Sequence, residues 1–310
     1  MNILLTSTSF KDTLGKHQTA LKETGFNINT IRGPIGESEL MPIISDYDGI
    51  ICGDDYYTRK VLEKGKAGKL KVISKYGVGL DKIDIIAAQE LKIKVTNCPG
   101  VNHMAVAEHV FALILSFYKN IPSEISYTRK GYWKRLIGQE IFGKKIGVAG
   151  LGRIGKEVLL RAKAFGLILY AFDISIDRQF VNNNNVYVCE TLEKLMAVAD
   201  IVSLNMNLTQ DNNQCVNNNI IENHTKKGLL LINAARGELV DEKAILYGID
   251  NNILSGYLTD VLYEEPLKSK HPFLEYNNIF ITPHIGSRTY ESVERQGLMA
   301  VKNLVKSLLI

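Results

Sequence analysis

The stretch formed by residues 146–173, IGVAGLGRIGKEVLLRAKAFGLILYAFD, constrains the fold more than any other part of the sequence. A short apolar run leads into three glycines, Gly150, Gly152 and Gly155, and a segment of helical period is followed by a second apolar run that ends on Asp173. This order predicts a strand, a tight glycine turn, a helix and a second strand. Such a β-α-β unit builds a parallel sheet.

The same alternation of short apolar runs and helical segments covers the whole chain and predicts an α/β fold. The first block contains five predicted strands, at NILLTS, NINTI, DGIICG, LKVISKYG and KVTNC. After a long predicted helix at MAVAEHVFALILSFYKN, the second block contains six, at KKIGVAG, LILYAFD, IVSLN, GLLLINA, LSGYLTD and IFITP. We therefore expect two Rossmann-like domains with parallel sheets: a flavodoxin-like domain formed by residues 1–98 and 289–310, and a Rossmann domain formed by residues 99–288.

Two segments outside the strands carry further expectations. The last helical segment, from about Tyr290 to Leu309, is expected to pack back on the first domain, which makes that domain discontinuous. The asparagine tract at residues 182–185 has no apolar side chain to bury, and we expect it to form a solvated loop.

Composition and charge argue against several classes of protein. The chain has 310 residues, 45% hydrophobic and 23% charged, as globular proteins do. Its 37 basic and 33 acidic residues form no long basic run, so we expect no nucleic-acid partner. Because no apolar window reaches the ~20 residues of a membrane span and no signal peptide is recognisable, we expect a cytoplasmic protein without a membrane partner. The cysteines and histidines show no C-x-x-C or H-E-x-x-H spacing, so we expect free thiols and no metal site.

The glycines of residues 146–173 fit a dinucleotide phosphate site. A glycine at the strand end permits a tight turn, a second lets backbone N–H groups approach a pyrophosphate, and a third lets the helix pack closely on the sheet. Asp173 lies 21 positions beyond Gly152 and can accept hydrogen bonds from ribose hydroxyls, whereas it would repel a 2′-phosphate. Neither Ile174 nor Ser175 offers a cation for such a phosphate. Although glycines also mark ordinary turns, the full order of elements favours binding of NAD over NADP.

Three ionisable residues follow predicted strands in loops marked by glycine or proline: Arg236 in LINAARGELVDE, Glu265 in DVLYEEP and His284 in ITPHIGS. Each alone could be a surface or structural residue, but ligands bind at the carboxyl ends of strands in an open α/β sheet. Reduction of a 2-keto acid by hydride requires a proton donor for the oxygen and a fixed cation for the substrate carboxylate. His284 supported by Glu265 fits the first role, and the planar guanidinium of Arg236 fits the second.

Several strings, in this order, carry a resemblance to one family. They are SKYGVGLDKIDI, NCPGVN followed by VAEH, GKKIGVAGLGRIG, INAARGELVDE, DVLYEEP and TPHIGS, and they extend over residues 74–287. In these strings the chain resembles the D-isomer-specific 2-hydroxyacid dehydrogenases of the phosphoglycerate dehydrogenase-like group. The resemblance implies an NAD-dependent oxidoreductase acting on the CH–OH group of a small 2-hydroxy acid. It also implies a homodimer associating through the long helix region 102–120, with the active site in the cleft between a lid domain and an NAD-binding domain.

The resemblance also assigns site residues by motif match. Arg236, Glu265 and His284 are implied to be catalytic, and Asp260 to hold the nicotinamide carboxamide. The implied cofactor residues are Gly150, Gly152, Arg153, Ile154, Gly155, Asp173, Asn205, Ala234, Asp260 and His284. The implied substrate residues are Tyr76, Gly77, Val78, Gly79 and Arg236. Backbone N–H groups of this YGVG loop would hold the substrate carboxylate, a task that suits a nest of amides, although the letters could also mark a plain turn.

The chain departs from the family pattern in the loop LNMNLT and near its end. Asn205 and Asn207 stand where the family commonly has His and Pro, so we expect the chemistry to be kept while affinity for NAD differs. The sequence stops just after the predicted last helix, and we expect no C-terminal regulatory domain and no feedback by serine through one.

The sequence leaves two classes of substrate open, phosphorylated and unphosphorylated acids. Family members that act on 3-phosphoglycerate usually carry an arginine after the strand near position 52, where this chain has Asp54 and Asp55, which would repel a phosphate. Lys75 and Arg59 keep a phosphorylated substrate as an alternative. Phosphoglycerate, hydroxypyruvate, glyoxylate and lactate are the candidates, in either direction of the reaction.

A second function stays open as well. The C-terminal binding protein corepressors share this fold and the Arg, Glu and His set, and they sense NADH while binding partner peptides. The lack of a long disordered extension in the sequence favours the enzyme.

Overall fold

Two separate parallel β-sheets organise the chain, which the computed structural model describes from residue 1 to residue 309. Each sheet belongs to its own unit. Met1–Asn102 together with Arg288–Ile310 forms the first unit, and His103–Ser287 forms the second.

The first unit has a five-stranded sheet with helices on both faces. Its strands are β1 (Asn2–Leu5), β2 (Asn27–Thr30), β3 (Gly49–Cys52), β4 (Val72–Lys75) and β5 (Lys94–Thr96). Its helices are α1 (Thr8–Asp12), α2 (Lys16–Glu23), α3 (Glu37–Leu40), α4 (Arg59–Ala67), α5 (Ile85–Glu90) and α12 (Tyr290–Leu309). The strand order β2-β1-β3-β4-β5, parallel throughout, is that of flavodoxin-like sheets. Strands β3 and β4 are buried along their whole length, which explains their nearly continuous apolar sequences.

The second unit has a seven-stranded sheet. Its strands are β6 (Lys145–Ala149), β7 (Ile168–Phe172), β8 (Tyr187–Val188), β9 (Ile201–Leu204), β10 (Leu229–Asn233), β11 (Leu254–Thr259) and β12 (Ile279–Ile281). Its helices are α6 (His103–Tyr118), α7 (Ile121–Arg129), α8 (Arg153–Ala164), α9 (Arg178–Asn184), α10 (Leu192–Val198) and α11 (Glu242–Asp250). Short helical turns lie at Ile44–Asp46 in the first unit and at Ile220–His224, Gly237–Leu239 and Pro272–Glu275 in the second.

The strand order of the second unit is that of a doubly wound dinucleotide-binding sheet. The order β12-β11-β10-β9-β6-β7-β8 reverses direction between β6 and β9, and all neighbouring strands are parallel. Ligands of such sheets bind beyond the carboxyl ends of the strands at this reversal. Helices α6 and α8 pack on one face through residues such as Ile146 and Val148, and α10 and α11 pack on the other through Val202 and Leu204.

The predicted fold class is confirmed: both sheets are parallel, and each predicted strand is present. One strand was missed, because β8 is a two-residue edge strand, too short to show a periodic pattern. The expectation of a loop at residues 182–185 is wrong, since α9 continues to Asn184 and Asn185 follows it with a left-handed backbone, φ 54°. The helix forms because Asp177 caps it, its Oδ1 accepting the N–H of Phe180 at 3.0 Å.

Within residues 1–309, no single helix is both long and apolar enough to cross a membrane. Two consecutive helices, His103–Tyr118 and Ile121–Arg129, are bent by 64° relative to each other. Only when they are counted together do they have the length and apolar composition of a membrane span.

Candidate active site

The glycine turn after β6 lies at the reversal of the strand order. Gly150 has φ +101°, and a Cβ there would lie 2.7 Å from the carbonyl carbon of Asn205 in the loop after β9. A Cβ at Gly155 would overlap the carbonyl oxygen of Gly150. These two glycines are therefore required for the close approach of helix α8 to the sheet. Gly152, directly before α8, has open space where a Cβ would be, so the helix N-terminus is accessible to a phosphate group.

Asp173 lies beside this turn. Its Oδ2 accepts the N–H of Leu151 at 2.6 Å, and its Oδ1 accepts the N–H of Ser175 at 2.8 Å. Each carboxylate oxygen can accept more than one hydrogen bond, so both keep acceptor capacity for ribose hydroxyls. The following Ile174 is 98% exposed and gives an apolar surface next to the carboxylate. A glycine turn, a helix N-terminus and an acid at this position fit NAD.

The remaining residues implied to bind the cofactor lie in or beside the turns that follow β6, β9 and β10. Asn205 donates its N–H to the carbonyl oxygen of Ala149 at 2.7 Å, and its side-chain amide bonds back to the carbonyl oxygen of Ser203 at 2.9 Å. Ile154 packs its side chain on the core, as Ala234 does, whereas Arg153 is exposed in the first turn of α8. The loops after β6 and β9 are thus bonded to each other at the reversal.

The loop that carries Arg236 is held by a buried asparagine at the end of β10. The Asn233 amide donates to the carbonyl oxygen of Arg236 at 2.8 Å, and its Oδ1 accepts the N–H of Ala235 at 3.1 Å. The Arg236 guanidinium donates to the carbonyl oxygen of Ala235 at 2.7 Å. Sequence reasoning missed Asn233, although a polar residue at the end of the apolar run LLLIN was a usable signal.

Three loops converge around the candidate catalytic residues. A Cβ at Gly237, next to Arg236, would overlap the backbone carbonyl of Leu262, so the loops after β10 and β11 are in direct contact. The N–H of Leu262 donates to Glu265 Oε1 at 3.1 Å, and Glu265 Oε2 lies 2.9 Å from His284 Nδ1 in the loop after β12. The structure therefore brings the arginine loop, the glutamate and the histidine together at the carboxyl ends of adjacent strands.

His284 has an unusual backbone conformation. Its φ is +53°, a left-handed value that costs about 1–3 kcal/mol in a residue other than glycine unless its surroundings hold it. Its N–H is shared between the carbonyl oxygens of Asp260 and Thr282, each at 2.9 Å. The backbone of the candidate catalytic histidine is therefore bonded to both residues.

Asp260 is 3% exposed and its carboxylate binds the same turn. Oδ1 accepts the hydroxyl of Thr282 at 2.6 Å and the N–H of Ile285 at 2.9 Å, and Oδ2 accepts the N–H of Gly286 at 2.7 Å. Burial raises the pKa of Asp260, but the hydrogen bonds from His109, Thr282, Ile285 and Gly286 outweigh it and hold the pKa below its ordinary value. The side chain implied to contact nicotinamide is thus chiefly engaged by the loop after β12.

The YGVG loop of the first unit has its carbonyl groups tied down. The N–H of Cys98 donates to the carbonyl oxygen of Gly77 at 2.7 Å, and the side-chain amide of Asn97 donates to that of Val78 at 2.7 Å. Among residues 1–309, the N–H groups of Val78 and Gly79 have no hydrogen-bond acceptor. The loop therefore presents two backbone N–H groups as possible hydrogen-bond donors, while the bonds to its carbonyl oxygens fix its backbone. Sequence reasoning missed Asn97.

Tyr76, the first residue of this loop, faces inward. Its ring packs edge-on against Phe10 with 6.1 Å between centroids, and burial raises the pKa of its hydroxyl. Its side chain supports the loop, whereas the amides of the next residues are accessible.

The charged residues near this loop differ from the sequence expectation. Asp55 is buried and accepts hydrogen bonds from the Thr6 hydroxyl and from the N–H of Ile35, the latter at 2.9 Å. Burial raises its pKa, so it acts as an internal support and not as a repelling surface charge. Lys75, whose side chain is 7% exposed, donates to Asp54 Oδ1 at 2.7 Å and to the carbonyl oxygen of Gly53.

Comparison with known proteins supports the same assignment. Residues 111–286 match the family model for the NAD binding domain of D-isomer specific 2-hydroxyacid dehydrogenases. The chain is 36% identical over 275 residues to the D-3-phosphoglycerate dehydrogenase of Methanocaldococcus jannaschii, covering 88% of this chain but 52% of that protein. It is 32% identical to the hydroxypyruvate reductase of Thermotoga maritima, covering 96% of each chain. The crystal structure of the TT0316 protein from Thermus thermophilus superposes with a TM-score of 0.89 at 34% identity, covering 100% of this chain and 97% of that one.

An open parallel sheet with a glycine turn and a carboxylate at its reversal is typical of dinucleotide-binding proteins. The chain belongs to the D-isomer specific 2-hydroxyacid dehydrogenase family. Members of this family are NAD-dependent oxidoreductases that act on the CH–OH group of 2-hydroxy acids, so the predicted family, enzyme class and cofactor are confirmed.

Replacing Asp260 by Asn tests the charge of this buried group. Because its pKa lies below the ordinary 3.8, the folded chain holds the carboxylate more strongly than the unfolded chain does. Its stabilisation is therefore complete above about pH 4 and lost as pH falls through the folded-state pKa. We expect Asp260→Asn to lower the melting temperature at pH 7 and the difference from wild type to shrink below about pH 4.

Thermal unfolding followed by circular dichroism between about pH 3 and pH 7 measures this difference. Asp211→Asn, at an exposed position, is the control and should show little difference at any pH. A difference for Asp260→Asn that stays constant or grows on acidification would contradict the assignment of a buried carboxylate.

Proposed function

We propose that the chain catalyses reversible hydride transfer between NAD(H) and a small, unphosphorylated 2-hydroxy/2-keto acid. The observation that carries the proposal is the 2.9 Å contact between His284 Nδ1 and Glu265 Oε2, beside the loop that bears Arg236. An imidazole supported by a carboxylate exchanges protons near neutral pH, which hydride transfer to a carbonyl requires.

Glu265 determines which nitrogen of His284 takes part. Because the N–H of Leu262 anchors Oε1, Oε2 is the oxygen that accepts Nδ1–H of the imidazole. Nε2 is then the nitrogen that gives a proton to the substrate oxygen during reduction and takes it back during oxidation. NAD(H), when bound, supplies or accepts the hydride. Arg236 binds the substrate carboxylate and polarises its carbonyl with a guanidinium that stays charged at every working pH.

We assign the substrate carboxylate a second set of donors in the first unit, the N–H groups of Val78 and Gly79. Their support is the fixed loop, in which Asn97 and Cys98 bind the carbonyl oxygens and leave the amides for an anion. Successive backbone N–H groups of this kind form anion-binding nests.

Support for an unphosphorylated substrate comes from the charges beside this loop. A Cβ at Gly77 would lie 3.3 Å from Lys75 Cε, so this lysine lies directly against the loop. Asp54 offsets the positive charge of Lys75, and the negative charge of Asp54 itself would repel a phosphate group. The hydroxypyruvate reductase relative, which the chain matches over nearly its whole length, is named for an unphosphorylated acid. The phosphoglycerate dehydrogenase relative is about twice as long as the matched region, and a phosphorylated acid is the competing substrate class.

We also propose that the protein is a homodimer. Support comes from exposed apolar side chains after α7, among which Trp133 is 85% and Ile137 is 97% exposed. Contiguous exposed apolar surface marks protein interfaces. Half of the residues of helix α6, within the region 102–120 that the resemblance named, are buried in its own unit, and the exposed apolar side chains lie in the adjacent segment 121–142, which we propose as the surface for a second copy.

The enzyme is favoured over the corepressor-type binding protein, because the relatives reported above with a functional name are enzymes. The cytoplasmic location expected from the sequence stays a prediction.

Removing the imidazole tests the catalytic proposal. We expect His284→Ala to lower kcat by about 10²-fold or more while NADH still binds, because only the proton donor is lost. Glu265→Gln should also lower kcat, since the amide carries no charge to stabilise the imidazolium. The matched control is Glu264→Gln, at the next position, where the carboxylate forms a surface pair with Lys268. Absorbance measurements of NADH oxidation give kcat, and fluorescence measurements give the affinity for NADH. Wild-type turnover in His284→Ala would refute the proposed role of His284 as proton donor.

A substrate panel tests the charge preference. With saturating NADH, we expect kcat/KM for glyoxylate or hydroxypyruvate to exceed that for 3-phosphohydroxypyruvate by about 10-fold or more. Asp54→Asn should narrow this ratio, because it removes a negative charge beside Lys75. Glu190→Gln removes an equal charge from a surface pair with Lys194 and should leave the ratio unchanged. A wild-type preference for the phosphorylated acid would contradict the proposed substrate class.

Light scattering after size exclusion tests the homodimer. We expect twice the chain mass of 34.6 kDa for the wild type and the single-chain mass for a variant carrying Trp133→Lys and Ile137→Lys. Leu14→Lys, at an exposed apolar position of the first unit, should leave the mass unchanged. A wild-type protein that is monomeric at micromolar concentration would exclude the homodimer.

A further inference from the structure

A buried hydrogen-bond network connects helix α6 to the turn that carries His284. Nε2 of His109, in α6, lies 2.9 Å from Thr282 Oγ1 and 3.4 Å from Asp260 Oδ1. Thr282 Oγ1 in turn lies 2.6 Å from Asp260 Oδ1. The proposed reaction gives neither His109 nor Thr282 a part, and the sequence showed His109 only as the last letter of VAEH.

The single hydroxyl hydrogen of Thr282 fixes the direction of this network. Its distance to Asp260 Oδ1, 2.6 Å, is far shorter than the 3.5 Å to the carbonyl oxygen of Thr259, so the hydroxyl donates to the carboxylate. The hydroxyl oxygen is then the acceptor in its contact with His109, and Nε2 of His109 must carry a hydrogen. His109 therefore donates into the Thr282–Asp260 pair.

This pair lies directly under the turn that carries His284. Asp260 accepts the N–H groups of residues 284, 285 and 286 through its carbonyl oxygen, Oδ1 and Oδ2 respectively. A Cβ at Gly286 would lie 2.9 Å from Asp260 Oδ2 and 3.5 Å from His109 Cδ2, so the turn packs on the imidazole of His109 as well as on the carboxylate.

We propose that His109 is a positioning residue for the reaction. Its Nε2–H stabilises the Thr282–Asp260 pair, and this pair holds the turn so that the His284 imidazole stays against Glu265. The inference rests on the proposed catalytic role of His284. We expect the loss of this hydrogen bond to lower kcat, because a proton donor displaced by about 1 Å can slow the chemical step by up to about 10²-fold.

Two substitutions at position 109 separate the hydrogen bond from packing. The side-chain amide of Gln can place an N–H where the imidazole Nε2–H lies, whereas Leu fills a similar volume without a donor. We expect His109→Leu to lower kcat by about 10- to 100-fold with NADH affinity changed less than about 3-fold, and His109→Gln to keep kcat within about 3-fold of wild type. Glu108→Gln is the matched control, because the neighbouring carboxylate forms an exposed pair with Arg161 and should not affect kcat.

A double-mutant cycle tests whether His109 acts through Thr282. Thr282→Val removes the hydroxyl that receives the hydrogen bond, so the variant with both His109→Leu and Thr282→Val should be hardly slower than the worse of the two single variants. Additive losses in kcat would overturn the proposed route. A value of kcat in His109→Leu within about 3-fold of wild type, or equal losses in the Leu and Gln variants, would overturn the positioning role.

Failure of this inference and failure of the proposed function give different results. If His284→Ala keeps wild-type turnover, the catalytic proposal itself is wrong. If His284→Ala is inactive while His109→Leu is fully active, only the role of His109 is wrong. Melting temperatures of the two His109 variants complete the test, because a purely structural role would lower both kcat and stability in parallel.

Discussion

The buried charge of Asp260 is the constraint on which the candidate site depends. A carboxylate at 3% exposure is costly to bury unless hydrogen bonds replace its water, and here a hydroxyl and two backbone N–H groups do so. Those donors come from the loop after β12, so satisfying the charge also fixes the course of that loop. The N–H of His284, in the same loop, bonds to the backbone carbonyl oxygens of Asp260 and Thr282. The turn that satisfies the buried charge of Asp260 is therefore also the turn that holds His284.

Two other loops of the described chain are also held by a polar side chain that bonds to their backbone. Asn233 binds the backbone on both sides of Ala235, and Asn97 binds the carbonyl oxygen of Val78. In each case a partly or fully buried polar side chain at or just beyond a strand's carboxyl end bonds to the backbone of a ligand-side loop. In the YGVG loop these bonds engage carbonyl oxygens and not the N–H groups of Val78 and Gly79. Fixing donors before a ligand arrives lowers the entropy lost on binding.

How much of this could be predicted from the sequence depends on the range of the interaction concerned. The strands and the glycine turn are local patterns of apolar period and backbone freedom, and they were read correctly, including the last helix at Tyr290–Leu309. The asparagine tract was misread because the cap at Asp177 and the burial of Val181, which lie outside the tract, hold helix α9. Arg236, Glu265 and His284 were singled out because their loops carry glycine or proline signals beside a charge. Asn97 and His109 were missed because their bonds join segments that nothing in the local sequence connects, whereas Asn233, whose bonds to Ala235 and Arg236 are local, was missed despite its polar side chain at the end of an apolar run.

The contacts of Asp54 and Asp55 show why adjacent residues of one type cannot be assigned one role from sequence. Both were read as charges that repel a phosphate, but neighbouring side chains of an extended segment point to different surroundings. Asp55 is turned inward, and its carboxylate supports the fold by accepting hydrogen bonds from the Thr6 hydroxyl and the N–H of Ile35. Asp54 is turned to Lys75 and offsets its charge beside the YGVG loop. Of these two adjacent acids, only Asp54 forms an ion pair with Lys75, whose side chain is almost buried, so the proposed effect on a phosphorylated substrate is assigned to Asp54 and not to Asp55.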